Sequence, residues 1–282
     1  MLSLTTDYFT DTGCAAPYLR RIADAGFQRV HWCHEWDSDH VYSDDEIRQI
    51  GRWLDDCGLK MLDLHASAGK QMAWAADSEA SRRAGVELVR NRIEMAARLD
   101  CDVIIMHLSA APAAGAITAA PLRRSLDELE PFARKRGVRI AIENLRNDTF
   151  EACRALFALY GSDYLGFCYD SGHGNIGGQG LDHLDTVKDR LISVHLHDND
   201  GSDDRHDIIF NGTVDWPRLA RILTRSAYTK CVSSESNLRK SEIRDERLWL
   251  QKAHAACAAF ARMLETRRSA FQDSSEAGAL LP

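Results

Sequence analysis

The chain has 282 residues, a formal net charge of −7 and eight scattered cysteines that form no CxxC pair. An acidic balance weighs against a nucleic-acid partner, and isolated cysteines favour neither a zinc ribbon nor a disulfide framework. The sequence has no run of about 18 apolar residues, so we expect no membrane-spanning helix. The N-terminal MLSLTTDYF lacks the basic and apolar regions of a signal peptide. We therefore expect a cytoplasmic protein with reduced thiols.

Short apolar runs alternate with amphipathic helical stretches along the chain. Predicted strands cover residues 2–9, 28–36, 59–67, 102–109, 138–145, 164–173, 191–200 and 228–237. Predicted helices follow them from residue 17, over 43–58, 78–99, 120–136, 149–160 and 182–190, from residue 215 or 216, and over 241–266. Ser43 followed by Glu46 is typical of a capping box, and Gly137 is typical of a helix C-cap.

The order of these elements predicts one domain of the α/β class. Apolar strands separated by helices favour parallel pairing with both sheet faces covered, and eight such units predict a closed (β/α)8 TIM barrel. A doubly wound open sheet is the alternative, but no GxGxxG turn follows the first predicted strand. We expect the barrel to cover residues 1–268 and residues 269–282 to form a flexible tail. The last helix can pack on the barrel or on a partner subunit, which leaves a homo-oligomer open.

Histidine, aspartate and glutamate, which are common metal ligands, stand at the ends of six consecutive predicted strands. A barrel of this kind has its active site at these ends. The six residues are His65, His107, Glu143, Asp170, His195 and Glu235. A single such residue usually packs in the core or caps a helix, but these recur 25 to 42 residues apart, near the ~31 residues of one barrel unit. Imidazole and carboxylate donors together favour zinc, manganese or cobalt. The pattern predicts a divalent metal site at the barrel mouth.

Alternation along the seventh predicted strand separates its two faces. We expect Ile192, Val194 and Leu196 to face the helices. His195 and His197 then face the barrel interior, where both can reach the mouth. We expect His195 to bind the metal and His197 to lie nearer the substrate.

Six short motifs carry a resemblance to a known family. They are IENL (142–145), DSGH (170–173), HLHDND (195–200), DRH (204–206), NGTVDW (211–216) and ESNL (235–238). Together they resemble the xylose isomerase-like barrel superfamily, which includes sugar and sugar-phosphate isomerases and epimerases, inosose dehydratase and endonuclease IV. The resemblance extends over nearly the whole chain and is specific for the superfamily rather than for a substrate.

The resemblance to the epimerases implies one divalent metal and a pair of catalytic glutamates. The implied metal ligands are Glu143, Asp170, His195 and Glu235. Glu143 and Glu235 would also exchange a proton on opposite faces of the substrate, while the metal stabilises the enediolate formed beside the carbonyl. The implied activity is that of a metal-dependent sugar or sugar-phosphate isomerase or epimerase.

The resemblance to endonuclease IV implies a larger centre with three zinc ions. Its nine ligands have counterparts at His65, His107, Glu143, Asp170, His173, His195, Asp204, His206 and Glu235. The ligand set therefore implies one to three ions per chain and leaves two activities open, a sugar isomerase and a zinc-dependent abasic-site phosphodiesterase. A polyol dehydratase and a binding protein without activity are further alternatives.

Acidic loops at the predicted mouth favour a small sugar or polyol over DNA. Residues 35–46 contain six carboxylates and no lysine or arginine, and residues 198–207 contain five aspartates and one arginine. A DNA duplex needs a basic groove and would be repelled by such loops unless metals neutralise them. We therefore expect a small-molecule substrate.

Several residues near the predicted mouth are candidates for contact with the substrate. They are His34, Glu35, Trp36, Arg146 and His197. An indole ring can stack on the apolar face of a sugar, and a guanidinium suits a phosphate or a carboxylate. Core packing and a solvated loop explain the residues of the second strand equally well. Lys70 and Trp74 lie in a segment after the third strand that could cover the mouth.

Overall fold

The computed structural model describes residues 1–67, 73–108, 120–146 and 150–279, with side chains to residue 269. Its strands are Leu2–Thr5 (β1), Arg29–Trp32 (β2), Lys60–His65 (β3), Val103–Met106 (β4), Arg139–Glu143 (β5), Leu165–Asp170 (β6), Leu191–His195 (β7) and Val232–Ser234 (β8). Each strand lies inside one of the predicted strands and is shorter than the prediction.

The eight strands form one parallel sheet in the order β7-β6-β5-β4-β3-β2-β1-β8. The two ends of this order meet at a parallel bridge between Leu196 and Ser234. Leu196 N donates to Ser233 O at 3.0 Å, and Glu235 N donates to Leu196 O at 3.1 Å. The sheet is therefore closed on itself, and the predicted (β/α)8 barrel is confirmed.

The α-helices lie between and after the strands. They are Ala16–Asp24 (α1), Asp44–Cys57 (α2), Glu79–Arg98 (α3), Ala120–Arg136 (α4), Phe150–Leu159 (α5), Ser171–Ile176 (α6), Gly180–Val187 (α7), Trp216–Leu223 (α8) and Glu246–Ala279 (α9). The predicted capping box starts α2, where Ser43 N donates to Glu46 Oε2 at 2.6 Å and Glu46 N donates to Ser43 Oγ at 3.3 Å. Gly137 follows α4 with a φ of 67°, which a glycine adopts without strain. Within the described parts of the chain, no helix is long and apolar enough to cross a membrane.

Helices α6 and α9 differ most from the prediction. Helix α6 directly follows β6, because the Asp170 side chain accepts a hydrogen bond from His173 N at 2.6 Å and caps a new helix there. Helix α9 begins later than residue 241, because Asp245 Oδ1 accepts from Leu248 N at 2.8 Å and caps the helix at that point. It continues to Ala279, beyond the predicted end at residue 266. The flexibility of residues 269–282 stays a prediction.

The core has a large part between the sheet and the helices and a small part inside the barrel. The inner cluster consists of Val103, Ile105, Ala141, Cys168 and Ile192. The prediction that Ile192 faces the helices is therefore wrong. The pairing of β6 with β7 shifts register between Phe167 and Cys168, and this irregularity changes the alternation of β7 before Val194. Val194 and Leu196 do pack in the outer core, as predicted.

Candidate metal centre and active site

Four donor side chains meet at the C-terminal end of the barrel. Glu143, Asp170 and His195 are the last residues of β5, β6 and β7, and Glu235 directly follows β8. One donor atom of each lies within 4.8 Å of the others, and all four residues are buried. His195 Nδ1 lies 3.3 Å from Glu143 Oε2 and 3.3 Å from Glu235 Oε2. The fold thus brings together the residues that were predicted to hold one metal, and we refer to them as the four-donor group.

The environment of His195 tests whether this group fits a cation. The ring is fully buried, and neither ring nitrogen makes a well-directed hydrogen bond among the residues that the structure describes, although two carboxyl oxygens lie 3.3 Å from Nδ1. Burying an imidazole without well-directed hydrogen bonds is costly, whereas a metal ion would use the lone pair of one nitrogen. The three carboxyl groups around it supply the oxygen donors that zinc, manganese and cobalt accept together with imidazole. The donor set therefore fits a divalent metal.

The carboxyl groups of Glu143 and Glu235 differ in their tendency to ionise. Burial opposes ionisation of Glu143, but the imidazoles of His195 and His107 outweigh burial and hold the pKa of this carboxyl well below its usual value. Burial raises the pKa of Glu235 well above its usual value, and the carboxylates of Glu143 and Asp170 raise it further. The surroundings of Glu143 thus favour the ionised carboxylate, and the surroundings of Glu235 favour the neutral carboxylic acid.

Asp170 is fixed by Asn144 and His197. Asp170 N donates to Asn144 Oδ1 at 2.8 Å, and Asn144 Nδ2 donates to Asp170 O at 3.0 Å. His197 is fully buried with Nε2 at 3.0 Å from Asp170 Oδ2, so it contacts a proposed metal ligand rather than the open cavity. Burial opposes ionisation of Asp170, but His173 and His197 lower its pKa to about 2. Asn144 was not among the predicted site residues, although it follows Glu143 in the IENL motif.

Three further histidines around the cavity share one orientation. They are His65, His173 and His206. In each ring Nδ1 donates to a backbone carbonyl, at 2.9, 2.9 and 2.7 Å respectively. A carbonyl only accepts, so Nε2 keeps its lone pair in the neutral ring. Metal-binding histidines are commonly held in this way.

His65, His107 and Glu143 form a second set of donors beside the four-donor group. His65 Nε2 lies 3.1 Å from His107 Nε2, and Glu143 Oε2 lies 3.5 Å from the first nitrogen and 3.1 Å from the second. Burial lowers the pKa of His65 to about 4, although Glu143 opposes this shift. The ring of Trp36 packs against both imidazoles, with centroid distances of 4.7 and 5.5 Å.

Asp204 joins His173 and His206 on the other side of the cavity. Asp204 Oδ2 lies 3.1 Å from His206 Nε2 and 3.5 Å from His173 Nε2. Arg146 Nη2 donates to the same oxygen at 3.0 Å. Burial opposes ionisation of Asp204, but these two histidines hold its pKa far below the usual value. His173 Nδ1 also lies 3.5 Å from Glu143 Oε1, so the predicted ligands form one continuous group.

These donors open on a cavity of about 650 Å³. Trp36 and Arg146, two of the candidates for substrate contact, line it. Arg239 and Lys240 are further cationic residues of its wall that the sequence did not single out. Lys240 Nζ donates to the backbone oxygen of Asp204, and Arg146 Nη2 donates to a carboxylate oxygen of the same residue. Cationic groups from the loops after β5 and β8 thus meet at one side of the mouth.

Two other candidates for substrate contact lie away from this cavity. His34 and Glu35 line a separate pocket of about 210 Å³ beside α2. Strand β2 ends at Trp32, and the backbone turns at Glu35, which has a φ of 54°, so neither residue continues the alternation of the strand. Lys70 lies outside the residues that the structure describes. Trp74 is buried in the outer core.

The fold and the donors place the chain among (β/α)8 barrels that gather side chains able to bind a metal at the C-terminal ends of their strands. The model of the family described as "xylose isomerase-like TIM barrel" matches residues 19–253. The chain belongs to that family, as its motifs indicated.

One sequence relative and two solved structures are similar to most of the chain. An uncharacterised protein of Sinorhizobium fredii, y4fM, is 29% identical over 276 residues, which is 88% of each chain. The structure of an L-ribulose 3-epimerase matches with a TM-score of 0.77 and 19% identity, and covers 97% of both chains. That of a D-psicose 3-epimerase, determined in the presence of D-fructose, matches with a TM-score of 0.72 and 18% identity over 93% of this chain and 98% of that one.

Proposed function

We propose that this chain is a divalent-metal-dependent epimerase or isomerase of a sugar, a sugar phosphate or a related polyol. One observation carries the proposal: His195 Nδ1 lies 3.3 Å from a carboxyl oxygen of Glu143 and 3.3 Å from one of Glu235. Two carboxyl groups therefore flank one point at the base of the cavity. A reaction that removes a proton from one face of a carbon and returns a proton to the other face needs such a pair.

The four-donor group would hold the cation in this reaction. A divalent ion bound there supplies Lewis-acid polarisation of the carbonyl and hydroxyl oxygens of the substrate. Glu143 and Glu235 exchange the proton with the substrate carbon, each on its own face. Asn144 and His197 position Asp170, so they act through a ligand rather than on the substrate.

The cavity suits a small polar substrate. Its volume of about 650 Å³ is within the ~300–1,000 Å³ of small-molecule sites. Trp36 offers an aromatic face for a sugar ring, and Arg146 with Lys240 offers cationic donors for hydroxyl or phosphate oxygens. The two similar structures bear the names of ribulose and psicose 3-epimerases, which supports ketoses as the first substrates to test.

Incorporation of deuterium tests the proposal directly. Ketoses, their phosphates and cyclic keto-polyols are incubated in deuterium oxide with the protein and Mn²⁺, Co²⁺ or Zn²⁺, and are then examined by mass spectrometry and chromatography. We expect deuterium beside the carbonyl and the appearance of the epimer or isomer. Glu143→Gln should lower the rate of formation of the epimer or isomer by ~10²–10⁴-fold, whereas Glu87→Gln, on the exposed side of α3, should not change this rate. Absence of deuterium from every compound with every metal would contradict the proposal.

A zinc-dependent phosphodiesterase is a second candidate. The observation in its favour is the shared orientation of His65, His173 and His206, which all present Nε2 near carboxylates or other imidazoles of the cavity. Metal-site histidines held by backbone carbonyls would fit a centre with more than one zinc ion. Carboxylates of Asp7 and Asp11 in the cavity wall weigh against a DNA strand there.

Metal content separates the two candidates. Protein purified without an affinity tag or chelator is analysed by plasma mass spectrometry and assayed on DNA that contains an abasic site. About three zinc ions per chain together with strand cleavage would favour the phosphodiesterase. About one ion per chain without cleavage would favour the epimerase, with His65, His107, His173, Asp204 and His206 serving the substrate or the structure.

A further inference from the structure

A further cluster of donors lies next to Glu235, inside the barrel. His31 in β2, Cys33 just beyond β2 and Glu235 just beyond β8 present donor atoms within 4.8 Å of one another, and all three residues are buried. Strands β2 and β8 both pair with β1, so these residues face each other across a single strand. His31 Nε2 lies 3.4 Å from Cys33 Sγ and 3.8 Å from Glu235 Oε1.

Asp63 sets the orientation of the His31 ring through the ring nitrogen that points away from Cys33 and Glu235. His31 Nδ1 lies 2.8 Å from Asp63 Oδ1, and both side chains are fully buried. The hydroxyl of Ser193 donates to the other oxygen of the same carboxylate. Because a carboxylate accepts, Nδ1 carries the proton and Nε2 presents its lone pair to Cys33 and Glu235. A carboxylate behind the imidazole is the arrangement that orients zinc-binding histidines.

We propose that His31, Cys33 and Glu235 form a second cation site, selective for a soft divalent metal such as Zn²⁺ or Cd²⁺, which shares only Glu235 with the four-donor group. Zinc bonds of about 2.3 Å to sulfur and about 2.0–2.1 Å to nitrogen place these two atoms about 3.5 Å apart in a tetrahedral site. The observed separation of Cys33 Sγ and His31 Nε2 is 3.4 Å. Two of the ligands therefore already have the spacing that the metal requires.

The donor atoms give this site a different metal preference from that of the four-donor group. A thiolate with an imidazole selects zinc or cadmium, whereas the carboxylate-rich four-donor group also accepts manganese and other harder ions. Metal binding at Cys33 displaces the thiol proton to solvent, since the thiolate is the ligand. Cys33 and Glu235 both line the main cavity, which gives a cation access. Because Glu235 also belongs to the four-donor group, a soft metal at this site would compete with that group for the Glu235 carboxylate.

Titration with Cd²⁺ tests the site without any assay of turnover. The full chain, freed of metal and carrying Cys14→Ser to remove the exposed thiol, is titrated while the thiolate-to-cadmium absorption in the ultraviolet is recorded. We expect a band that saturates at one thiolate per chain and disappears in Cys33→Ser. Cys168→Ser should keep the band, although Cys168 lies near Glu143 and His195. No band at saturating Cd²⁺, or a band that survives in Cys33→Ser, would overturn the proposal.

Three further measurements check that the absorption band reports cadmium bound by these three ligands. X-ray absorption at the cadmium edge of the otherwise unchanged chain should show a sulfur neighbour, which does not depend on the folding of a Cys33 variant. Asp63→Asn should weaken Cd²⁺ binding by about 10–100-fold through the loss of orientation of His31. Glu143→Gln should leave the band intact, because Glu143 is not one of the three ligands of this site. Failure of the epimerase proposal would leave all three results unchanged.

Discussion

Asn144 and Asp170 hold each other through two hydrogen bonds at the ends of neighbouring strands. Asp170 N donates to Asn144 Oδ1 at 2.8 Å, Asn144 Nδ2 donates to Asp170 O at 3.0 Å, and both residues are fully buried. The backbone oxygen of Asn144 also accepts from His173 Nδ1 at 2.9 Å. One amide side chain therefore sets the positions of the ends of β5 and β6, which carry Glu143 and Asp170.

Replacement of Asn144 should therefore weaken metal binding. Asn144→Ala removes both side-chain hydrogen bonds and leaves buried polar groups of Asp170 unpaired, at a cost of ~1–3 kcal/mol in the free energy of unfolding. Metal affinity should fall by about 10–100-fold, as for other residues that orient ligands. Competition with a chromophoric chelator measures the affinity, and denaturant unfolding measures the stability. Asn211→Ala, at an exposed position, is the control; equal affinities in the two variants would contradict the role of Asn144.

Metal removal should lower the thermal stability of the chain. A ligand that binds only the folded state at 100 times its Kd contributes ~2.7 kcal/mol, and ~1 kcal/mol corresponds to about 2–4 °C in a protein of this size. We expect the melting temperature to fall by roughly 5–10 °C on treatment with a chelator and to recover when Zn²⁺, Mn²⁺ or Co²⁺ is returned. Differential scanning calorimetry on Glu143→Gln supplies the comparison, because this variant should gain much less from the metal. An identical melting temperature with and without metal would count against a metal centre.

Much of the fold could be predicted because the apolar runs of the strands and the amphipathic pattern of the helices are visible in short stretches of sequence. The capping box at Ser43 and the glycine after α4 are local signals, and they were sufficient for the helix ends that they mark. The donors at the strand ends could be found because each lies at the same point of its own unit, so their convergence follows from closure of the barrel.

The remaining features depend on neighbours that are distant in sequence. Ile192 faces the interior because β6 and β7 shift register, which no pattern within β7 reveals. The pairing of His31 with Asp63 joins residues 32 positions apart on adjacent strands and lies below the predicted mouth. His34 was placed at the mouth by extending β2, but the strand ends at Trp32 and the alternation of faces ends with it.

Trp36 should contribute to substrate binding more than to the chemical step. Its ring lines the cavity and packs on His65 and His107. If the ring supports a sugar equally in the ground state and the transition state, Trp36→Ala should raise KM by about tenfold, or ~1.4 kcal/mol, with little change in kcat. Steady-state kinetics with the substrate found by deuterium incorporation measures the two constants, and Trp36→Phe should retain most of the affinity. A fall in kcat with unchanged KM, or a loss of bound metal, would assign Trp36 to support of the imidazoles instead.

Glutamine variants of the two catalytic candidates should separate proton exchange from inversion. If Glu143 and Glu235 act on opposite faces of the substrate carbon, Glu235→Gln and Glu143→Gln should each abolish conversion between the epimers, because one face then lacks its acid or base. With metal supplied at a concentration that occupies the four-donor group of each variant, each should still exchange the proton of one epimer with solvent through the glutamate that remains. The two variants should do so with different epimers. Deuterium incorporation into each pure epimer, followed by mass spectrometry, distinguishes these cases, and the unchanged chain should label both. Exchange with the same epimer in both variants would show that a single group handles the proton on both faces, and the flanking arrangement around His195 would then need another explanation.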